Sequence, residues 1–167
     1  MKISENLCQV CRIDQRCCKD MGLKVSVREY EKNFKKHASS LKTVKYNKMV
    51  IVFPKHSQPC PYWNGSGCSI YDDRPVDCRL YPFELHRLVE KKRKIEAVFY
   101  DQSDCPHKEA LFIPVEEAKE LITALARDVY GTGKPVEIKY EPGKRPPRAF
   151  GILNPLIARL SRLISSR

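Results

Sequence analysis

Eight cysteines are the residues in this chain best suited to chemistry. Cys8, Cys11, Cys17 and Cys18 crowd the N-terminus, and Cys60, Cys68, Cys78 and Cys105 follow. Thiolates are soft ligands that select zinc or iron–sulfur clusters. The Cys8-Gln9-Val10-Cys11 spacing lets a short turn aim two of them at one ion. Neighbouring side chains on an extended backbone point in opposite directions, so Cys17-Cys18 either serves two centres or needs a local kink to serve one. The first geometry divides eight thiolates into four and four, with the double cysteine as the hinge.

The residues around the later cysteines add detail. Cys60 and Cys105 are each followed by proline, as is the last cysteine of bacterial ferredoxin runs; proline sets the chain direction and removes an unpaired amide. Cys78 lies four residues after Arg74 and directly before Arg79. A guanidinium beside a thiol lowers its pKa and offsets the negative charge of a cluster. Arg74 can equally pair with Asp72, Asp73 or Asp77. Trp63, Tyr71 and Tyr81 can shield a centre from water or pack in a core. His37, His56, His86 and His107 read as ordinary surface or core residues.

Taken in order, Cys8-x2-Cys11-x5-Cys17-Cys18, then Gly67-Cys68-Ser69-Ile70-Tyr71-x2-Arg74-Pro75-x2-Cys78-Arg79-x2-Pro82-Phe83, then Cys105-Pro106 resemble the YkgJ-type cysteine-cluster family, a zinc- or iron-chelating domain. The similarity covers roughly residues 8 to 106 and uses every cysteine. It implies a metal-binding domain, often described as an iron–sulfur protein, with a distant kinship to bacterial flagellin lysine N-methylases and no settled reaction. His107 stands where the family commonly has glycine, which leaves a ligand role for it open.

The family resemblance, the Cys-Pro steps and the flanking arginines favour one or two iron–sulfur clusters, 4Fe-4S in type, with all eight cysteines as metal ligands and Arg74 and Arg79 beside the cofactor. A zinc ribbon would more often show two Cys-x2-Cys knuckles where this chain has one. The expected role is redox or electron transfer with a redox or protein partner, and an iron–sulfur oxidoreductase activity is left open. One alternative is a structural zinc module presenting a basic surface to nucleic acid or protein; another, from the kinship alone, is a methyltransferase-like enzyme. The chain has no radical-adenosylmethionine Cys-x3-Cys-x2-Cys run, no glycine-rich phosphate loop and no G-x-S-x-G elbow. The Cys8–Cys11 pair lacks the βαβ setting of a thioredoxin-like motif.

The formal net charge is +11. Two four-iron clusters, each about −2 with its thiolates, would lower it to roughly +7. Lys91-Lys92-Arg93-Lys94 and Lys144-Arg145-Pro146-Pro147-Arg148 are the densest basic runs; they suit an anionic partner or form a solvated face. No apolar stretch suits a signal peptide or a membrane span, so a cytoplasmic location is expected. There thiols stay reduced, which favours metal over a disulfide framework.

The positioning elements are expected to form a small α+β domain, irregular and metal-stabilised, with a few helices and a short antiparallel sheet. A cysteine-cluster domain spans 1–140, and a basic linker with an amphipathic helix spans 141–167. Residues 1–25 read as irregular. Ser26 and Glu29 form a capping box for a helix over 27–41, where Val27, Tyr30, Phe34, Ala38 and Leu41 recur at helical spacing. Residues 44–53 read as one strand or a tight pair ending at Pro54. Residues 54–82 read as a long functional loop, and 95–100 and 136–140 as strands. A helix follows Pro114 and ends at Gly131. Beyond the linker, Asn154 caps a helix with Leu156, Ile157, Leu160, Leu163 and Ile164 on one face, suited to a membrane surface, a partner or its own domain.

Overall fold

The computed structural model describes residues 22–55, 58–65, 67–101 and 113–143. Among the described residues the architecture is α+β, with three helices and six strands in two sheets. The first sheet has strand order β1-β3-β2, from β1 (Leu23–Ser26), β2 (Leu41–Tyr46) and β3 (Met49–Pro54), all antiparallel. β2 and β3 form the tight pair that the β-branched run predicts. Tyr46 faces Met49 across a two-residue loop, and Asn47 supplies the left-handed φ of 53° that such loops require and asparagine tolerates.

At residues 23–25 β1 replaces the irregular structure expected there, and residues 1–21 of that expectation lie outside the described residues. Four residues are too few for a visible period, and the strand exists because Val25 pairs with Val50 and is fully buried. The capping box is present: Ser26 Oγ accepts from Glu29 N–H while Glu29 accepts from Ser26 N–H. The helical segment it starts is not one regular helix. α1 (Val27–Glu29) passes into a π turn at Tyr30–Phe34 and 3₁₀ turns at Lys35–Ser40. The wide turn brings Asn33 and Phe34 together into the core.

The second sheet holds β4 (Phe83–Glu90), β5 (Ile95–Asp101) and β6 (Val136–Glu141) in that order. β4–β5 is antiparallel and β5–β6 parallel. A parallel pair needs a crossover, and α3 (Val115–Tyr130) lies within it. In α3, Ala118, Leu121, Ile122, Leu125 and Ala126 are buried, the i, i+3, i+4, i+7 stripe of a helix laid on a sheet. Glu116 and Glu117 sit in its first turn, where the helix dipole favours them, and Gly131 closes it at φ 85°.

Two apolar clusters result. The larger packs α3 onto Phe83, Leu85, Leu88, Ile95, Ala97 and Phe99. The smaller joins Val25, Phe34, Leu41, Val50, Val52 and Tyr62, with Cys60, Cys68 and Ile70 packed against it. β3 is buried on both faces: Met49 belongs to the larger cluster, Val50 and Val52 to the smaller. Each such side chain contributes about 1.5–3 kcal/mol on leaving water. No helix among the described residues is long and apolar enough to cross a membrane. The expected tail helix at 154–167 lies outside the described residues.

Candidate metal centre

The loop from Cys60 to Cys68 is a small irregular hairpin. Trp63 N–H donates to Cys60 C=O at 2.8 Å, a turn with Pro61 at the position where proline's fixed φ fits. Asn64 N–H donates to Gly67 C=O at 3.2 Å, and Gly67 N–H returns to Asn64 Oδ1 at 2.9 Å. Gly65 takes φ 91° at the tip. Trp63 pairs with Cys68 as an isolated bridge, and Ser69 N–H donates to Tyr62 C=O at 2.9 Å. Tyr62, between the two cysteines, is anchored by its hydroxyl to the carbonyl of Asn33 in the π turn. The hairpin therefore places Cys60 and Cys68 half-buried against the smaller core.

Cys78 arrives from a different direction. Asp73 N–H donates to Ile70 C=O at 3.0 Å, and Pro75 then begins α2 (Val76–Arg79) inside the segment expected to be all loop. Burial pushes the Cys78 thiol well above its ordinary pKa, and the Asp77 charge adds to the effect. Cys60 and Cys68 push the same way while Arg74 pulls down. Cys78, on α2, and the Cys60–Cys68 hairpin are two separate parts of the chain, and the charges that bear on Cys78 include both hairpin thiols and the Arg74 guanidinium.

Arg74 does not pair with the neighbouring aspartates. Its guanidinium carbon lies 3.7 Å from the centre of the Tyr71 ring, and Nε donates to Tyr71 C=O at 2.8 Å. The pull on the Cys78 thiol expected from Arg74 is present, but burial outweighs it, since removing a thiolate from water costs more than one partly exposed charge returns. Arg79 is exposed and lines a groove against Pro114, Glu117 and Glu120 at the start of α3. Asp73 pairs with Lys32 at 2.8 Å.

Cys8, Cys11, Cys17, Cys18 and Cys105 lie outside the described residues, as do His56 and His107. His86 is exposed on β4, and His37 packs edge-on against Tyr62 with ring centres 5.1 Å apart. Among the described residues, no three His, Cys, Asp or Glu side chains form a group that could hold a metal ion. The donor chemistry nevertheless fits a soft cation. A half-buried thiol whose ionisation is opposed by its surroundings is what an ion's positive charge reverses, since it converts thiols to thiolate ligands.

Two residues that hold α2 escape a reading of the chain. Glu29 Oε1 accepts from Val76 N–H at 2.7 Å, and Asp77 Oδ2 accepts from Lys24 N–H at 2.9 Å. The capping box marks Glu29 as a local helix residue, and nothing in the spacing signals its second partner. Of the basic runs, Lys91–Lys94 forms the β4–β5 turn, with Lys91 N–H donating to Lys94 C=O at 2.8 Å. Lys94 pairs with Glu96 and Glu137, while Lys91, Lys92 and Arg93 are exposed. The run at 144–148 lies outside the described residues.

No curated protein and no solved structure matches the chain. A family model described as "Putative zinc- or iron-chelating domain" matches residues 7–106, a span that takes in all eight cysteines and more than half of the sequence. With the match taking in every cysteine, the chain belongs to the CxxCxxCC family of zinc- or iron-chelating domains.

Proposed function

We propose that the protein carries one or two cysteine-ligated iron–sulfur clusters of the 4Fe-4S type and passes electrons to or from a partner protein. The observation that carries this reading is the family match over residues 7–106, which takes in all eight cysteines; Cys60 and Cys68 also push the Cys78 thiol up while Arg74 opposes them. Three thiols do not complete two clusters, and the reading draws the remaining ligands from Cys8, Cys11, Cys17, Cys18 and Cys105. Bound clusters would supply one-electron redox chemistry. The chain's own part is to hold the thiols in place, to set a compensating charge at Arg74, and to exclude water with Tyr62 and the apolar cluster beneath it.

Iron–sulfur is preferred to zinc because only one compact Cys-x2-Cys knuckle is present among eight cysteines. The test is purification of the full chain without oxygen, followed by metal and sulfide analysis and a visible spectrum. Iron with matching sulfide and a broad visible band that bleaches on reduction is the expected result. Colourless protein holding zinc would overturn the cluster and the redox role while keeping a metal module. A compact protein holding neither metal would overturn both.

A further inference from the structure

The element that presents Cys78 is a helical turn of four residues, and so short a helix does not hold itself together in water. Its N-cap, Pro75, makes no side-chain cap hydrogen bond. The Val76 N–H, one of the donors that every helix start leaves unsatisfied, is taken from outside by Glu29 Oε1 at 2.7 Å. The other Glu29 oxygen, Oε2, accepts from Ser26 N–H at 3.1 Å. Asp77 reaches back the other way, accepting from Lys24 N–H at 2.9 Å. Two hydrogen bonds of opposite sense therefore join α2 to the β1–α1 junction. That junction is in turn fastened to α3, because Ser26 Oγ donates to Asp128 Oδ2.

The capping box uses Ser26, the Glu29 N–H and Oε2. Oε1 is left over from that local task and is spent on the Cys78 turn. We propose that Glu29 is a positioning residue for Cys78: its carboxylate caps α2 from a remote part of the chain and so sets the direction in which the thiol is offered to a metal ion. The inference rests on the metal-centre reading above and assigns Glu29 no contact with the metal.

The test titrates the full apo chain with cobalt(II) alone, without oxygen, and reads the affinity and the sulfur-to-cobalt charge-transfer band, which reports thiolate ligation. Glu29→Ala removes the acceptor. Val76→Pro removes the donor while leaving Glu29 in place, at a first helical position where proline is well tolerated. Both should bind cobalt about 10- to 100-fold more weakly, as expected for loss of a group that orients a ligand, with a weakened band. Glu29→Gln keeps an oxygen for Val76 and should stay within a few-fold of the parent. Ser26→Ala opens the capping box and loses the bond to Asp128 but leaves the Oε1 bond, and should bind cobalt normally even if it melts lower.

A folded Glu29→Ala or Val76→Pro variant with parental affinity and spectrum would overturn the positioning role and leave the metal centre standing. Equal losses in Ser26→Ala and Glu29→Ala would overturn it too, by showing that the Ser26 side-chain bonds matter and the Oε1 bond does not. If Glu29→Ala does not fold, Val76→Pro decides. A parent chain that shows no cobalt–thiolate band would overturn the metal-centre reading itself.

Discussion

The guanidinium of Arg74 sits 3.7 Å from the centre of the Tyr71 ring and, at the same time, acts on the Cys78 thiol. The ring and the Tyr71 carbonyl hold the cation in one place, so its charge is delivered at a set position. A fixed positive charge favours the reduced, more negative state of a cluster. For the proposed cluster, Arg74→Gln should therefore make the reduction potential more negative, and Arg74→Lys should move it less because the charge remains. Spectroelectrochemical titration of the three proteins checks this; an unmoved potential in Arg74→Gln would remove Arg74 from the centre.

Cys78 is expected to matter where an exposed lysine does not. Metal binding contributes folding energy in sites of this kind, so Cys78→Ser should lose metal and melt at a lower temperature. Lys92, in the β4–β5 turn, is exposed, and Lys92→Ala should stay within about 0.5 kcal/mol of the parent. Metal analysis with thermal melting of both variants tests the contrast, and full occupancy in Cys78→Ser would exclude it as a ligand. A chelator added to the parent should reproduce the Cys78→Ser melting loss.

Tyr140 gives a pH signature unrelated to the cysteines. Its hydroxyl donates to both Asp101 oxygens at 2.8 Å, and burial, followed by this bond and the aspartate charge, pushes its pKa up to about 12. In the unfolded chain a tyrosine titrates near about 10. The folded state thus keeps a proton that the unfolded state releases, and stability falls as pH rises from about 10 towards 12. Urea midpoints across that interval should decline less steeply in Tyr140→Phe than in the parent; identical slopes would count against the Asp101 bond.

Phe99 tests the larger core. It is fully buried, with ring centres 5.4 Å from Phe83 and 5.0 Å from Tyr140. Phe99→Ala should cost about 3–5 kcal/mol in urea unfolding through lost burial and the cavity left behind. A loss below about 1 kcal/mol would mean that the second sheet contributes little to the cooperative unit.

Legibility along the chain followed local signals. α3 was readable because an apolar stripe, Pro114 and Gly131 agree with one another, and the β2–β3 pair because its β-branched run contains one turn. β4 was not. Its buried residues are Phe83, Leu85 and Leu88, an alternation broken by the register shift between Leu85 and Arg87, and a bulge of this kind erases the period of two by which strands are recognised. The irregular path of the first helical segment was also hidden, because Asn33 and Phe34 are held inward by packing with the first sheet and with Tyr62, 29 residues on from Asn33.

The same division runs through the candidate centre. The order of the amino acids was enough to identify a soft-metal chelator, since ligand type and short spacing are covalent facts that survive in any conformation. It could not say that the Cys60 and Cys68 thiols would bear on Cys78, or that Glu29 would reach Val76 N–H 47 residues away. Both depend on burying β1, β3 and Tyr62 together, and that is a property of how the chain packs against itself: the energy comes from surfaces far apart in sequence that leave water at the same moment.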